Sequence, residues 1–170
     1  VNLESEGPLL ITHWGMSGPA ILKLSSRAAK YLFQKSYQFD YAVNWLDDAH
    51  SFIQEKRKQH GASKISKSKI AEMPQRLWEY LMERAGISKS ANWADLNKVK
   101  IEALEQVLGH DIYAANGKTT FKEEFVTSGG IDLKEINLKR MESKKVEGLH
   151  FCGEVMNVDA ITGGFNFQAA

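Results

Sequence analysis

From Tyr37 to Trp45 the odd positions are all apolar or aromatic (Tyr37, Phe39, Tyr41, Val43, Trp45), set against Gln38, Asp40, Ala42 and Asn44 at the even ones. A period of two is that of a strand with one face buried. Upstream, Leu9-Leu10-Ile11-Thr12 is a shorter β-like run that ends at His13-Trp14-Gly15. Ile21, Leu24, Ala28 and Leu32 then fall on one face at helical spacing, and Pro19 suits a first turn, where its missing N–H costs nothing. A helix over 19–33 follows. Between Asp47 and Leu108 the chain turns helical and highly charged, with apolar stripes at Leu77, Trp78, Leu81, Met82, Ala85 and at Trp93, Leu96, Val99, Leu104, Val107. Gly61, Gly86 and Gly109 stand where left-handed caps end helices. Runs at 112–115 and 119–127 flank Asn116-Gly117, a dipeptide that closes hairpins. No internal repeat or low-complexity tract is present.

Composition narrows the class without naming a function. With 43% apolar and 25% charged residues over 170 positions, the chain is of ordinary globular make-up and long enough for one domain or two small ones. Its formal net charge of +1 argues against a strongly electrostatic partner. No eighteen-residue apolar run and no leader pattern occur, so neither a membrane span nor a secretory signal is expected. The single cysteine, Cys152, excludes an intrachain disulfide and a Cys-x-x-Cys pair, which fits a reducing cytoplasm. We read Cys152 itself as a small residue packed in a strand. No metal-ligand spacing is evident.

Three stretches carry candidate chemistry. Gly15-Met16-Ser17-Gly18-Pro19, with His13 close by, invites comparison with a nucleophile elbow. Pro19 replaces the last glycine and no matched acid and histidine follow, so a capped helix start, with Ser17 accepting from exposed N–H groups, is the favoured reading. Lys56-Arg57-Lys58, continued by His60, Lys64, Lys67 and Lys69, is basic enough to touch phosphates. Glu55 and Glu72 flank it and no aromatic residue lies between Arg57 and Trp78, so we read it as a solvated face and do not expect a nucleic-acid partner. The third stretch is the strongest: Phe151-Cys152-Gly153-Glu154 reads as a strand ending in Gly-Glu, and Gly163-Gly164 opens a helix. In a doubly wound sheet this arrangement offers a carboxylate to sugar-type hydroxyls and helix-terminal N–H groups to negative charge, such as that on the N1/O2 edge of a reduced flavin. The chain stops ten residues beyond Ala160, in the middle of that site, and is expected to be part of a larger enzyme.

The full wording of four ordered segments resembles one family. Gly7-Pro8-Leu9-Leu10-Ile11-Thr12-His13-Trp14-Gly15-Met16-Ser17-Gly18-Pro19, Val126-Thr127-Ser128-Gly129-Gly130-Ile131-Asp132-Leu133, Met141-Glu142-Ser143-Lys144 and Gly148-Leu149-His150-Phe151-Cys152-Gly153-Glu154 through Gln168 are similar to the BaiN-like (YhiN, aminoacetone oxidase family) NAD(P)/FAD-dependent flavoproteins. The resemblance implies an α+β fold: a β-barrel-like insertion domain with a helical subdomain, set into a FAD-binding Rossmann-type domain. On that basis residues 1–46 are the later part of the insertion with one helix, 47–110 the helical subdomain, 111–127 a closing hairpin, and 128–170 the incomplete return to the FAD-binding domain.

Carried over residue by residue, the resemblance makes Gly153 and Glu154 the ribityl-side contact, and Thr162, Gly163, Gly164, Phe165 and Asn166 the backbone cradle of the flavin ring. His13 and Ser17 face the substrate side as tentative catalytic residues. The implied cofactor is FAD, with NAD(P)H as an electron donor. The implied partners are a small-molecule substrate and the missing flavin-binding portion of the same protein. No Gly-x-Gly-x-x-Gly occurs, so the chain alone is expected to bind FAD weakly, to be inactive, and to self-associate through faces left uncovered. The alternative is a non-catalytic binding module that docks through Trp14, Trp78 or Trp93.

Overall fold

The computed structural model describes residues 2–70, 73–118 and 128–158, and these divide into two units, one of residues 1–39 with 116–170 and one of residues 40–115. In the first unit β1 (Leu10–Ile11) and β2 (Met16–Ser17) form a two-residue antiparallel ladder, with Leu10 opposite Ser17 and Ile11 opposite Met16. Helix α1 (Pro19–Gln34) follows directly and buries Ala20 and Ala28. It starts as the sequence implies, with proline in its first turn. Its N-cap, however, is Gly18 and not Ser17, and no side chain caps it. The Ala20 N–H instead donates to the Pro8 carbonyl at 3.3 Å, so a neighbouring strand entry satisfies the helix start that we assigned to the serine hydroxyl.

β3 (Gln38–Val43) has the alternation that the sequence requires, with Phe39, Tyr41 and Val43 half-buried and Gln38, Asp40 and Ala42 exposed. It pairs with β4 (Asp111–Asn116), and between these strands the chain makes three helices: α2 (Ala49–His60), α3 (Gln75–Arg84) and α4 (Lys98–Gly109). Their common core is Ile53, Trp78, Leu81, Met82, Leu104 and Leu108, joined by Ile65 and Trp93 from two short 3₁₀ turns. Trp78 and Trp93 stack with ring centroids 6.3 Å apart, and Phe52 meets both edge-on. Burying aromatic surface of this size dominates the stability of a small unit. Tryptophans at 1% and 0% exposure are core residues, so the docking role that the binding-module alternative gave Trp78 and Trp93 does not hold; Trp14 alone of the three is open, at 46%.

Two further expectations need correction. Trp93 and Leu96 precede α4 and belong to a 3₁₀ turn closed by a reciprocal Asn92–Asp95 capping box, while Val99 on α4 is exposed. Of the three glycine stops, Gly86 alone is left-handed (φ +66°); Gly61 is right-handed, and Gly109 is the last residue of α4. In the remainder of the first unit β5 (Ile136–Asn137) and β6 (Glu142–Ser143) pair antiparallel. The architecture is thus α+β, built among the described residues from two-stranded sheets and without a closed barrel or a parallel Rossmann sheet. No helix among those residues is long and apolar enough to cross a membrane. The second strand of the expected 111–127 hairpin lies outside the described residues.

Candidate functional site

Phe151-Cys152-Gly153-Glu154 does not extend as the strand expected of it. A turn closes there, with the Met156 N–H donating to the Gly153 carbonyl at 3.1 Å, and Cys152 is exposed instead of packed. Glycine is required at the bend because Gly153 sits at φ +81°. The turn is anchored by a bridge between Ile131 and Met156: Ile131 N–H donates to Val155 at 2.9 Å, and Asn157 N–H donates back to Ile131 at 3.0 Å. Gly130 makes that approach possible. A Cβ there would lie 2.6 Å from the Val155 oxygen, and its φ of +133° excludes most side chains besides. Gly130 therefore holds the backbone that carries Glu154, an exposed residue. A Cβ at Gly153 would meet nothing within 4 Å among the described residues. Thr162, Gly163, Gly164, Phe165 and Asn166, the rest of the sequence-predicted cofactor set, lie outside the described residues.

His13 and Trp14 form the tip of the β1–β2 hairpin, rings edge-to-face at 6.3 Å, and His13 is exposed. Thr12 fixes the tip by bonding Gly15 in both directions: its hydroxyl donates to the Gly15 carbonyl at 2.9 Å and accepts from the Gly15 N–H at 3.2 Å. Ser17 is half-buried in the ladder, and no hydrogen bond joins it to His13 among the described residues. A serine–histidine nucleophile needs that contact, so the hairpin presents a histidine and not a hydrolase dyad.

The helical unit carries a feature that the sequence reading set aside. Lys56 and His60, at the end of α2, face Lys64, Lys67 and Lys69 across a groove of about 280 Å³. Ser63 and Ser68 complete the lining, and no lining residue is a carboxylate among those described. The loop wall is fixed from beneath. Ile65 is fully buried between Lys64 and Lys67, and the Trp78 indole N–H donates to its carbonyl at 2.9 Å. The Trp93 indole N–H donates to the Ser68 hydroxyl at 2.8 Å, which leaves that serine its own O–H to offer. Lys56 extends over the Phe52 ring, 5.6 Å from its centroid.

A second missed residue is Asp111, 2% exposed at the start of β4. Its carboxylate accepts from the Trp45 indole at 3.2 Å, from Arg84 at 3.0 and 2.6 Å, and from the Tyr113 hydroxyl. Arg84 in turn lies 4.8 Å from the Tyr113 ring centroid. Four hydrogen bonds from three partners around one buried charge make a structural knot that ties α3 to β4. Only tertiary contact creates it; one aspartate beside a predicted strand gives no signal. No cluster suited to a metal ion occurs among the described residues.

Against known proteins, residues 2–126 match the family model described as the HI0933-like protein barrel and H2TH domain. A protein of Escherichia coli K12 named ribosomal RNA dihydrouridine synthase is 35% identical over 164 residues, and one of the same name from Haemophilus influenzae is 34% identical over 165. Both alignments cover 95% of this chain and 39% of the relative. The 3-dehydro-bile acid delta(4,6)-reductase of Clostridium scindens is 25% identical over 175 residues, covering 100% of the chain and 42% of the relative. The chain thus spans about two fifths of the length of these curated relatives. With the family model matching well over half of its residues, the chain belongs to the HI0933-like barrel and H2TH domain family.

Proposed function

We propose that this chain is part of a FAD-dependent oxidoreductase that saturates a carbon–carbon double bond conjugated to a carbonyl, and that its substrate is uracil in ribosomal RNA. The observation that carries the reading is the match over 95% of the chain to two proteins named ribosomal RNA dihydrouridine synthase. The more distant relative, a bile acid delta(4,6)-reductase, supports the chemistry even though its substrate differs. Dihydrouridine is uridine with its ring double bond reduced, and that bond, like a steroid enone, is polarised by a neighbouring carbonyl. Such a reaction delivers hydride to one carbon and a proton to the other. The finer placement among BaiN-like flavoproteins belongs to the same proposal.

The residues present fit one edge of a flavin site. Glu154 stands on a turn fixed by the Ile131–Met156 bridge, and no described residue lies within 4 Å of where a Cβ at Gly153 would be, which suits a ligand approaching its backbone. Glu154 would accept from the hydroxyls of the cofactor's sugar-like chain, while the pyrophosphate has no Gly-x-Gly-x-x-Gly motif here to hold it. A flavin bound there would supply the hydride. His13, exposed on its hairpin, is our candidate for the proton donor, since imidazole serves well as a general acid near neutral pH. Replacing His13 with alanine in the intact protein should lower turnover about 10²–10⁴-fold, the usual worth of a general acid, while leaving flavin content unchanged. Unchanged turnover removes His13 from the mechanism.

The cofactor reading is tested by the visible absorption spectrum of the intact protein beside that of the 170-residue chain. A yellow intact protein that releases FAD on heating, with a colourless chain, is the expected result. An intact protein that is colourless and takes up no added FAD overturns the reading.

A further inference from the structure

We propose that the groove between the end of α2 and the 63–69 loop is a phosphate-binding cleft by which the helical unit grips the sugar–phosphate backbone of RNA. The choice of RNA rests on the substrate reading above; the cleft itself rests on its lining. Lys56, Lys64, Lys67, Lys69 and His60 converge on about 280 Å³ of space without a carboxylate among the described lining residues. That is unusual in a chain whose 22 basic and 21 acidic residues nearly cancel. Elsewhere on the unit such charges pair: Lys89 with Glu79 at 2.8 Å, Lys98 with Glu102 at 3.8 Å, His50 with Glu105 at 2.8 Å. Like charges gathered with no counter-charge among the described lining residues repel one another, and a polyanion relieves that repulsion.

The groove is also built to persist. Its loop wall is tied to the buried Trp78 and Trp93 by the indole bonds to the Ile65 carbonyl and the Ser68 hydroxyl, and Ser68 retains an O–H donor for a phosphate oxygen. Lysines on a fixed frame lose less entropy on binding than lysines on a mobile tail. No Phe, Tyr or Trp lines the cleft among the described residues, so it is suited to grip backbone without reading sequence. Choice of the uridine would then fall to the catalytic portion.

The test is fluorescence anisotropy of a fluorescein-labelled RNA stem–loop titrated with the full chain across a range of salt concentrations. Each phosphate contact contributes roughly 0.7–0.9 to the slope of log affinity against log salt. A Lys64→Gln/Lys67→Gln double variant should therefore bind more weakly with a slope about one to two units shallower. Lys89→Gln/Lys98→Gln, an equal charge change away from the groove, should retain the wild-type slope. A double variant that keeps the wild-type slope, or wild-type binding insensitive to salt, overturns the cleft. Ribosomal RNA from cells lacking the gene separates this from the substrate reading. Loss of dihydrouridine there, with unaltered binding by the double variant, sinks the cleft alone; retained dihydrouridine, with binding weakened as expected, sinks the substrate reading alone.

Discussion

Asp111 shows how much a single side chain can hold in so small a unit. Its buried charge is met by Arg84, Trp45 and Tyr113 together, so removing it strands the Arg84 guanidinium against the Tyr113 ring. Because Arg84 is 35% exposed and keeps its bond to the Ile112 carbonyl, Asp111→Ala should cost about 1–3 kcal/mol of stability, and a urea titration will show it. A loss under ~1 kcal/mol would mean that the knot is dispensable. The same cluster sets an alkaline limit. Burial, and then the hydrogen bond to and charge of Asp111, push the Tyr113 phenol well above its ordinary value. The folded chain holds that proton more tightly than the unfolded one, so the stabilisation is present below the unfolded value of about 10 and is lost as pH rises beyond it. Urea midpoints should fall above about pH 10, and less steeply in Tyr113→Phe. An identical alkaline profile in that variant would contradict the assignment. The sequence shows none of this, since position 111 reads only as an acidic residue before a strand.

At the scale of elements, regular periodicity made structure legible and irregular backbone did not. α1 and β3 emerge within a residue or two of where the 3.6 and 2.0 periods place them, because each has one half-buried face and little else to decide its fate. The stripe through Trp93 and Leu96 misled because a 3₁₀ turn with its own capping box also presents apolar residues three apart. Glycine stops failed at Gly61 for a different reason. A Cβ there would lie 3.1 Å from the Arg57 oxygen, so close packing and not handedness explains the residue. The Trp93 turn joins core to groove, which makes it the most informative element to disturb. Trp93→Ala should destabilise the chain by about 3–5 kcal/mol, the usual range for a buried tryptophan, as measured by thermal or urea unfolding. A loss below ~1 kcal/mol would show that the loop stands without its anchor.

For the whole molecule, the resemblance to a flavoprotein family was carried by ordered glycine-rich wording, whereas the basic groove was not legible. A net charge of +1 averages over the chain and conceals a local cluster, and only folding sets α2 against the 63–69 loop to gather the lysines around one groove. Conversely, the Gly153-Glu154 step was visible in sequence, but its strand was not the form it took; the turn depends on Gly130 meeting Val155 from 25 positions away. The central claim joins these parts: a flavin-dependent reductase that acts on uracil in ribosomal RNA. Its most direct test is the dihydrouridine content of ribosomal RNA, measured by mass spectrometry of nucleosides from cells with and without the gene. The account predicts that dihydrouridine disappears on deletion and returns with the intact gene. Ribosomal RNA with the same dihydrouridine content in both strains would contradict it.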